Sequence, residues 1–299
     1  MNTNLKGYLA AVFSAVCYGM NPLGALSLYK MGFNPDSALF FRFAVAAFFL
    51  ALAVVIRKES FKITRKELIY LTALGFMFGL SSLTYYGSFL YMDAGVASTL
   101  LFIYPVLVAV IMAVFFHEKL TFPMMASIVV ALLGVCVLYN GAEVSLSAMG
   151  VALVLISALS YALYLVIVNR ANLNISAFKL TFYSSFFCAI VIFLHSLTTK
   201  QAHLMWPTTM DAWGYILILA IFPGLLSLVL MAVAVKHIGS TKTAIFGALE
   251  PVTAICIGVF VFGETLTQRI ILGIVLILVA VTLIVVTNKK KVATDKEKQ

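Results

Sequence analysis

Ten apolar runs of about 18–25 residues leave this chain few ways to fold: 7–28, 37–56, 68–90, 95–116, 122–140, 149–168, 178–197, 213–235, 241–262 and 268–287. At about 1.5 Å per residue, each run is long enough as a helix to cross the hydrocarbon core of a bilayer. Lipid offers no partner to backbone N–H and C=O groups, so only helices or closed barrels can span it. The runs are continuously apolar rather than alternating, which excludes the barrel. With 63% of 299 residues hydrophobic and 10% charged, a soluble globule is excluded too. The expectation is an all-α polytopic membrane protein with ten transmembrane helices, spans 1 to 10.

The net charge of +9 would suggest a nucleic-acid partner in a soluble protein, but its distribution gives a different reading. With ten spans, the segments on the N-terminal side hold sixteen Lys and Arg residues, and the opposite side holds only Lys30, Lys200 and Arg269. That is a positive-inside bias, and it places both termini in the cytoplasm. No nucleic acid is expected as a partner. The Lys6-led first span has no small-residue cleavage site and nine spans follow it, so it is read as a retained helix rather than a signal peptide. Cys17, Cys136, Cys188 and Cys256 fall inside spans without metal-ligand spacing, so neither a disulfide nor a metal site is expected.

The chain repeats itself. Tyr104–Thr121 reads YPVLVAVIMAVFFHEKLT, and Gly247–Thr267 reads GALEPVTAICIGVFVFGETLT. Pro105 corresponds to Pro251 and Glu118 to Glu264, 146 positions on. An offset of 143 pairs Ser14 with Ser157, Tyr18 with Tyr161 and Asn21 with Tyr164. The expected organisation is a five-helix repeat at 1–142, a second at 143–288, and a basic cytoplasmic tail at 289–299. An odd number of spans per repeat makes the second copy inverted.

Candidate functional residues follow from polarity in lipid. Ser14, Tyr18 and Asn21 share one face of span 1 at i, i+4 and i+7, as do Ser157, Tyr161 and Tyr164 on span 6. These faces should turn inward, serving either interhelical hydrogen bonds or the lining of a cavity. The outer half of span 3 is polar and aromatic, with Ser81, Ser82, Thr84, Tyr85 and Tyr86, and Gly75 and Gly79 form a GxxxG pair. Arg42 is a cation within span 2, expected to snorkel or pair structurally rather than to touch substrate. Pro105 and Pro251 each remove a backbone donor and break or bend spans 4 and 9, freeing the carbonyls of Leu101 and Gly247. Glu250 precedes Pro251 near mid-membrane, where an ionised carboxylate costs at least ~2.5 kcal/mol. It must be protonated, paired or hydrated, which makes it the candidate for proton coupling over a purely structural carboxylate. Phe246 is expected on its face, and Tyr104 is its counterpart on span 4.

The paired proline-to-Glu segments resemble the drug/metabolite transporter superfamily, in particular its ten-helix EamA-type members. The resemblance covers the whole chain, with His117 standing where the second copy has Gly263. It implies two inverted five-helix bundles, alternating access, and a central cavity lined chiefly by spans 1, 3, 4, 6, 8 and 9. Glu118 and Glu264 then fall at helix ends, as capping residues on opposite membrane faces.

The resulting expectation is a secondary transporter in a bacterial inner membrane. It moves small organic metabolites, amino acid-like or aromatic, with export as the expected direction. Its partners would be the solute, protons as coupling ions and the bilayer, with a monomer favoured. No cofactor is expected. A passive channel or uniporter and a membrane enzyme are the alternatives. The sequence holds no HExxH, no CxxC and no Walker motif, and has little chain outside the spans to house catalysis.

Overall fold

The computed structural model describes residues 3–117, 122–139, 147–171, 173, 175–198, 202–238, 243 and 246–297. Glu118 and the expected boundary between 142 and 143 lie outside these residues. Among the described residues there are helices and no strand. Span 1 consists of α1 (Thr3–Gly19) and α2 (Asn21–Lys30), which meet at Met20. Spans 2 and 3 are α3 (Pro35–Ile56) and α4 (Arg65–Ser88). Span 4 is split into α5 (Ala94–Leu101) and α6 (Tyr104–Phe116), and span 5 is α7 (Phe122–Tyr139). Spans 6 and 7 are α8 (Ala148–Arg170) and α9 (Ala177–Ser196). Span 8 runs through α10 (Met210–Leu219), a π-helical segment at Ala220–Leu226 and α11 (Ser227–Ile238). Span 9 holds α12 (Leu249–Ile257) and a π-helical segment at Gly258–Phe262, and span 10 begins α13 (Gln268–Glu297). The last helix runs on through the expected tail region to Glu297.

The elements start where the sequence supplies caps. Thr64 and Glu67 form a reciprocal capping box at α4, the Thr hydroxyl accepting from Glu67 N and the carboxylate from Thr64 N. The side chains of Asn34, Ser147, Ser176 and Thr209 cap α3, α8, α9 and α10. Such caps satisfy N–H groups that no intrahelical carbonyl can reach.

Seven described segments are long and apolar enough to cross a membrane: Leu5–Lys30, Pro35–Ile56, Arg65–Ser88, Ala94–Phe116, Ala148–Val168, Ala177–Ser196 and Met210–Met231. The apolar helices α7, α12 with its π-helical extension, and α13 occupy the positions of spans 5, 9 and 10.

Packing follows the repeat. Spans 2 and 7, 4 and 9, and 5 and 10, each a repeat-related pair, lie against one another, while span 1 packs on span 8 and span 3 on span 6. The last two contacts are images of each other. Ser14 Oγ donates to Ser227 O at 2.8 Å, and Ser157 Oγ donates to Ser81 O at 2.7 Å. Both halves thus use the same hydroxyl on the same helix to grip the opposite repeat. Gly75 lets spans 3 and 7 close up: a Cβ there would stand 2.2 Å from that of Phe187.

Loop contacts join segments that the alternation of ten spans puts on one face. Tyr183 Oη donates to Phe61 O, and Ser176 bonds Glu59, on the basic face. On the other face Asn34 Nδ2 donates to His203 O and Met205 N to Ser37 Oγ. The molecule is an all-α polytopic membrane protein of two inverted five-helix repeats.

Candidate substrate cavity

The broken helices meet at the centre. α5 ends at Leu101, the chain turns through Phe102 and Ile103, and α6 starts at Tyr104 with Pro105 in its first turn. Span 9 repeats the break: Gly247 and Ala248 form a turn before α12, and Glu250 N bonds Gly247 O at 2.9 Å. The Gly247 carbonyl, expected to be freed by Pro251, is therefore taken by Glu250 in a tighter turn.

A cavity opens beside both breaks, with Tyr18, Asn21, Arg42, Tyr85, Tyr86, Tyr104, Tyr161, Glu250 and Pro251 on its wall. Leu101, Phe102 and Ala254 complete the region of the breaks. Gly19 brings span 1 close to span 9 here, since a Cβ on it would stand 2.6 Å from the Glu250 carbonyl oxygen. The space open to the centre of a water molecule is about 40 Å³. That is room for water, and well below the roughly 300 Å³ at which pockets for drug-sized organic molecules begin.

Polar contacts on the wall are directional. Arg42 is 4% exposed, and its Nη1 donates to Tyr86 Oη at 2.7 Å. Tyr86 Oη donates onward to Asn21 Oδ1 at 3.0 Å, and Asn21 Nδ2 to Tyr18 O at 2.8 Å. The relay ties spans 2, 3 and 1 together. The Ser98 hydroxyl donates to Ala94 O at 2.8 Å, so in the 2.5 Å contact with Tyr85 it is Tyr85 Oη that donates. Tyr104 and Tyr161 meet edge to face at 4.8 Å between ring centres. No carboxylate pairs with Arg42 among the described residues, and no cation pairs with Glu250.

Two expected pathway residues, Phe246 and Tyr164, are not among the residues on this wall, and Arg42 takes one of its two expected roles. Phe246 packs edge-on against Tyr8 at 5.8 Å, in a cluster with Ala10, Ala11 and Ala234, away from the cavity wall. The turn at Gly247–Ala248 interrupts the helical period that would have put it on the face of Glu250. Tyr164 sits behind the wall, stacked on Tyr161 at 5.9 Å and on Phe78 at 5.3 Å. Of the two roles expected for Arg42, snorkelling or structural pairing, the structure has the pairing, with Tyr86. Its head is buried against Phe43 and Tyr86, at 4.9 and 5.6 Å from the ring centres, because Tyr86 offers a closer partner than the interface.

At the end away from the basic face, Glu264 reaches across the repeats. Its carboxylate accepts from Ala94 N at 2.7 Å and Gly95 N at 3.1 Å, capping α5, a helix of the other half. It nests against Gly258, where a Cβ would overlap it at 2.0 Å. Burial raises the Glu264 carboxyl above the usual carboxylate range, and the two N–H donors pull it back part of the way. Nearby, Lys30 Nζ lies 4.7 Å from the ring centre of Phe262.

The sequence profile of the EamA-like transporter family matches residues 5–140 and, a second time, 148–286. The chain belongs to the EamA-like transporter family. Curated relatives also match this EamA-like chain along most of its length. An uncharacterized transporter of Clostridium kluyveri is 23% identical over 297 residues, covering 95% of this chain and 94% of its own. The uncharacterized transporter YyaM of Bacillus subtilis is 26% identical over 266 residues, 86% of each chain. A solved crystal structure with 16% identity superposes at a TM-score of 0.63 over 96% of this chain and 98% of its own, which shows a shared fold.

The family resemblance implied a wall that includes span 8; among the described residues the wall holds Arg42 of span 2 and no residue of span 8. Span 8 turns Ser227 onto Ser14, and its π-helical segment packs on spans 1 and 2. Phe78, Ser81, Ser82 and Ser98 also line the cavity without having been assigned to the pathway. The polar cluster of span 3 was the available signal for Ser81 and Ser82. Nothing in the spacing of span 4 marks Ser98.

Proposed function

We propose that this protein is a secondary carrier that moves small organic metabolites, amino acid-like or aromatic, by alternating access. The observation that carries the reading is the single cavity at the two helix breaks, walled by both repeats and holding a carboxylate and a guanidinium in an otherwise aromatic site. Its small free volume supports alternation, because an organic solute fits only after the halves move apart. Discontinuous helices at the midplane are where carriers of inverted-repeat design place their sites. The basic face is taken as cytoplasmic, which puts both termini inside a bacterial inner membrane, and export is the proposed direction. The chain is not an enzyme in this reading.

Glu250 is the proposed proton-coupling group. Protonation makes a carboxylate in this position cheap to move between the two faces, and release recharges it. The test uses purified protein in proteoliposomes with a panel of labelled amino acids and aromatic acids. Wild type should show both exchange of solute for solute and accumulation driven by a pH gradient. Glu250→Gln should keep exchange, which needs no net proton movement, and lose accumulation. A Gln variant that matches wild type in both assays would show that Glu250 is structural. Flux without counterflow in wild type would show a channel.

A further inference from the structure

Arg42 is the group in this cavity that proton-coupled transport leaves unused. Its guanidinium is a cation with five N–H donors and no acceptor. One donor, Nη1, is spent on the neutral hydroxyl of Tyr86, and Nε is buried without a partner among the described residues. The ion pairs found among the described residues, Arg57–Glu59 and His195–Asp36, lie at the ends of spans and leave Arg42 uncompensated. A buried cation with free donors, standing on a cavity wall, calls for an anion that arrives with the ligand.

We propose that Arg42 is the seat of the solute's carboxylate, which makes the substrates of this carrier organic carboxylates with a small apolar or aromatic body. The proposal deepens the carrier reading and rests on it only for the statement that the ligand is transported. The planar fork of a guanidinium matches the two oxygens of a carboxylate, and Nε, buried here without a partner, is the donor left for such pairing once the halves move apart. One cation balances one negative charge. A phosphate ester carries nearly two, and with Glu250 on the same wall the excess would be repelled. Tyr104 and Tyr161 supply flat apolar surface for the body of the solute. Arg42 thus sets specificity through charge, and Tyr86, which holds Nη1, is a positioning residue.

The test is binding, read as a thermal shift of purified protein in lipid nanodiscs. The probes share a body and differ in charge: phenylacetate, phenylalanine, phenethylamine and 2-phenylethanol. The two probes with a carboxylate should stabilise the wild type, and the amine and the alcohol should not. Arg42→Gln should weaken carboxylate binding at least tenfold, with Arg42→Lys between it and wild type, since Lys keeps the charge and loses the fork. Binding of the amine or the alcohol equal to that of the carboxylates, absence of carboxylate binding, or undiminished binding in the variants would overturn the seat. If Arg42→Gln does not fold, the wild-type panel and Arg42→Lys still decide. A protein that binds carboxylates through Arg42 but moves none in proteoliposomes refutes the carrier reading alone. Transport of phenethylamine in preference to phenylacetate refutes the seat alone.

Discussion

Glu264 shows how one side chain joins two halves of a membrane protein. Its carboxylate caps α5 from the other repeat, so Glu264→Ala would strand the Ala94 and Gly95 N–H groups. The expected loss is about 1–2 kcal/mol of stability, as for removal of a helix cap. The pH dependence has a definite sign. Burial raises the folded-state carboxyl above its unfolded value, so the contribution is fully present below about pH 4.3. It is lost as pH rises through the folded value. Glu264→Gln keeps an accepting oxygen without the titration, so its melting temperature should decline less between pH 4 and pH 8 than that of wild type. Parallel profiles would show that the group does not titrate in the folded protein. At this scale the inward face was legible for Tyr18 and Tyr161, which stand on the cavity wall, but not for Tyr164, three residues along the same helix as Tyr161. It was not legible for Phe246, because the turn at 247–248 resets the period. The burial of Arg42 depends on Tyr86, 44 positions away, and local spacing carries no trace of that.

Helices here are shaped by where they stop and how closely they approach. Proline marked the breaks of spans 4 and 9 in the sequence, but not their form. Span 4 separates into two helices, while span 8 absorbs Pro223 in a π-helical segment instead of breaking. Such a segment accommodates a residue that has no N–H to give to the α-helical ladder. His117 and Gly263, counterparts in the repeat, both end their helices in the left-handed region, with φ of 53° and 75°. The backbone thus keeps the repeat where the residue type departs from it. Close approach is testable at Gly75, the span 3 contact with Phe187. Gly75→Ala should overpack this contact and cost about 1–3 kcal/mol. Gly214, inside α10, meets nothing within 4 Å of a built Cβ, so Gly214→Ala should be neutral or gain roughly 0.5–1 kcal/mol from helix propensity. Thermal unfolding of both variants decides, and equal effects at the two glycines would contradict the packing described.

For the whole molecule, inverted repeats make the two faces related but not equivalent. The ten spans and their inversion were readable from apolar length and from the 143–146 residue offsets, because both are properties of the chain alone. The choice of partners, span 1 with span 8 and span 3 with span 6, is set by which polar faces meet in three dimensions. The central claim is that the cavity is reached from one face at a time. Glu264 and Ala94 touch across the repeats at the rim away from the basic face, so a disulfide there should hold that rim shut. The measurement starts from a chain without Cys17, Cys136, Cys188 and Cys256, which are free thiols here. To it are added Ala94→Cys, Glu264→Cys and, on the cavity wall, Tyr161→Cys. An impermeant thiol reagent is applied from either face of oriented vesicles. With the rim pair reduced, the cysteine at 161 should be labelled from both faces. With the pair oxidised, it should be labelled from the basic face alone. Labelling from the face opposite the basic one that persists after oxidation, or no labelling from either face in either state, would contradict alternating access through this cavity.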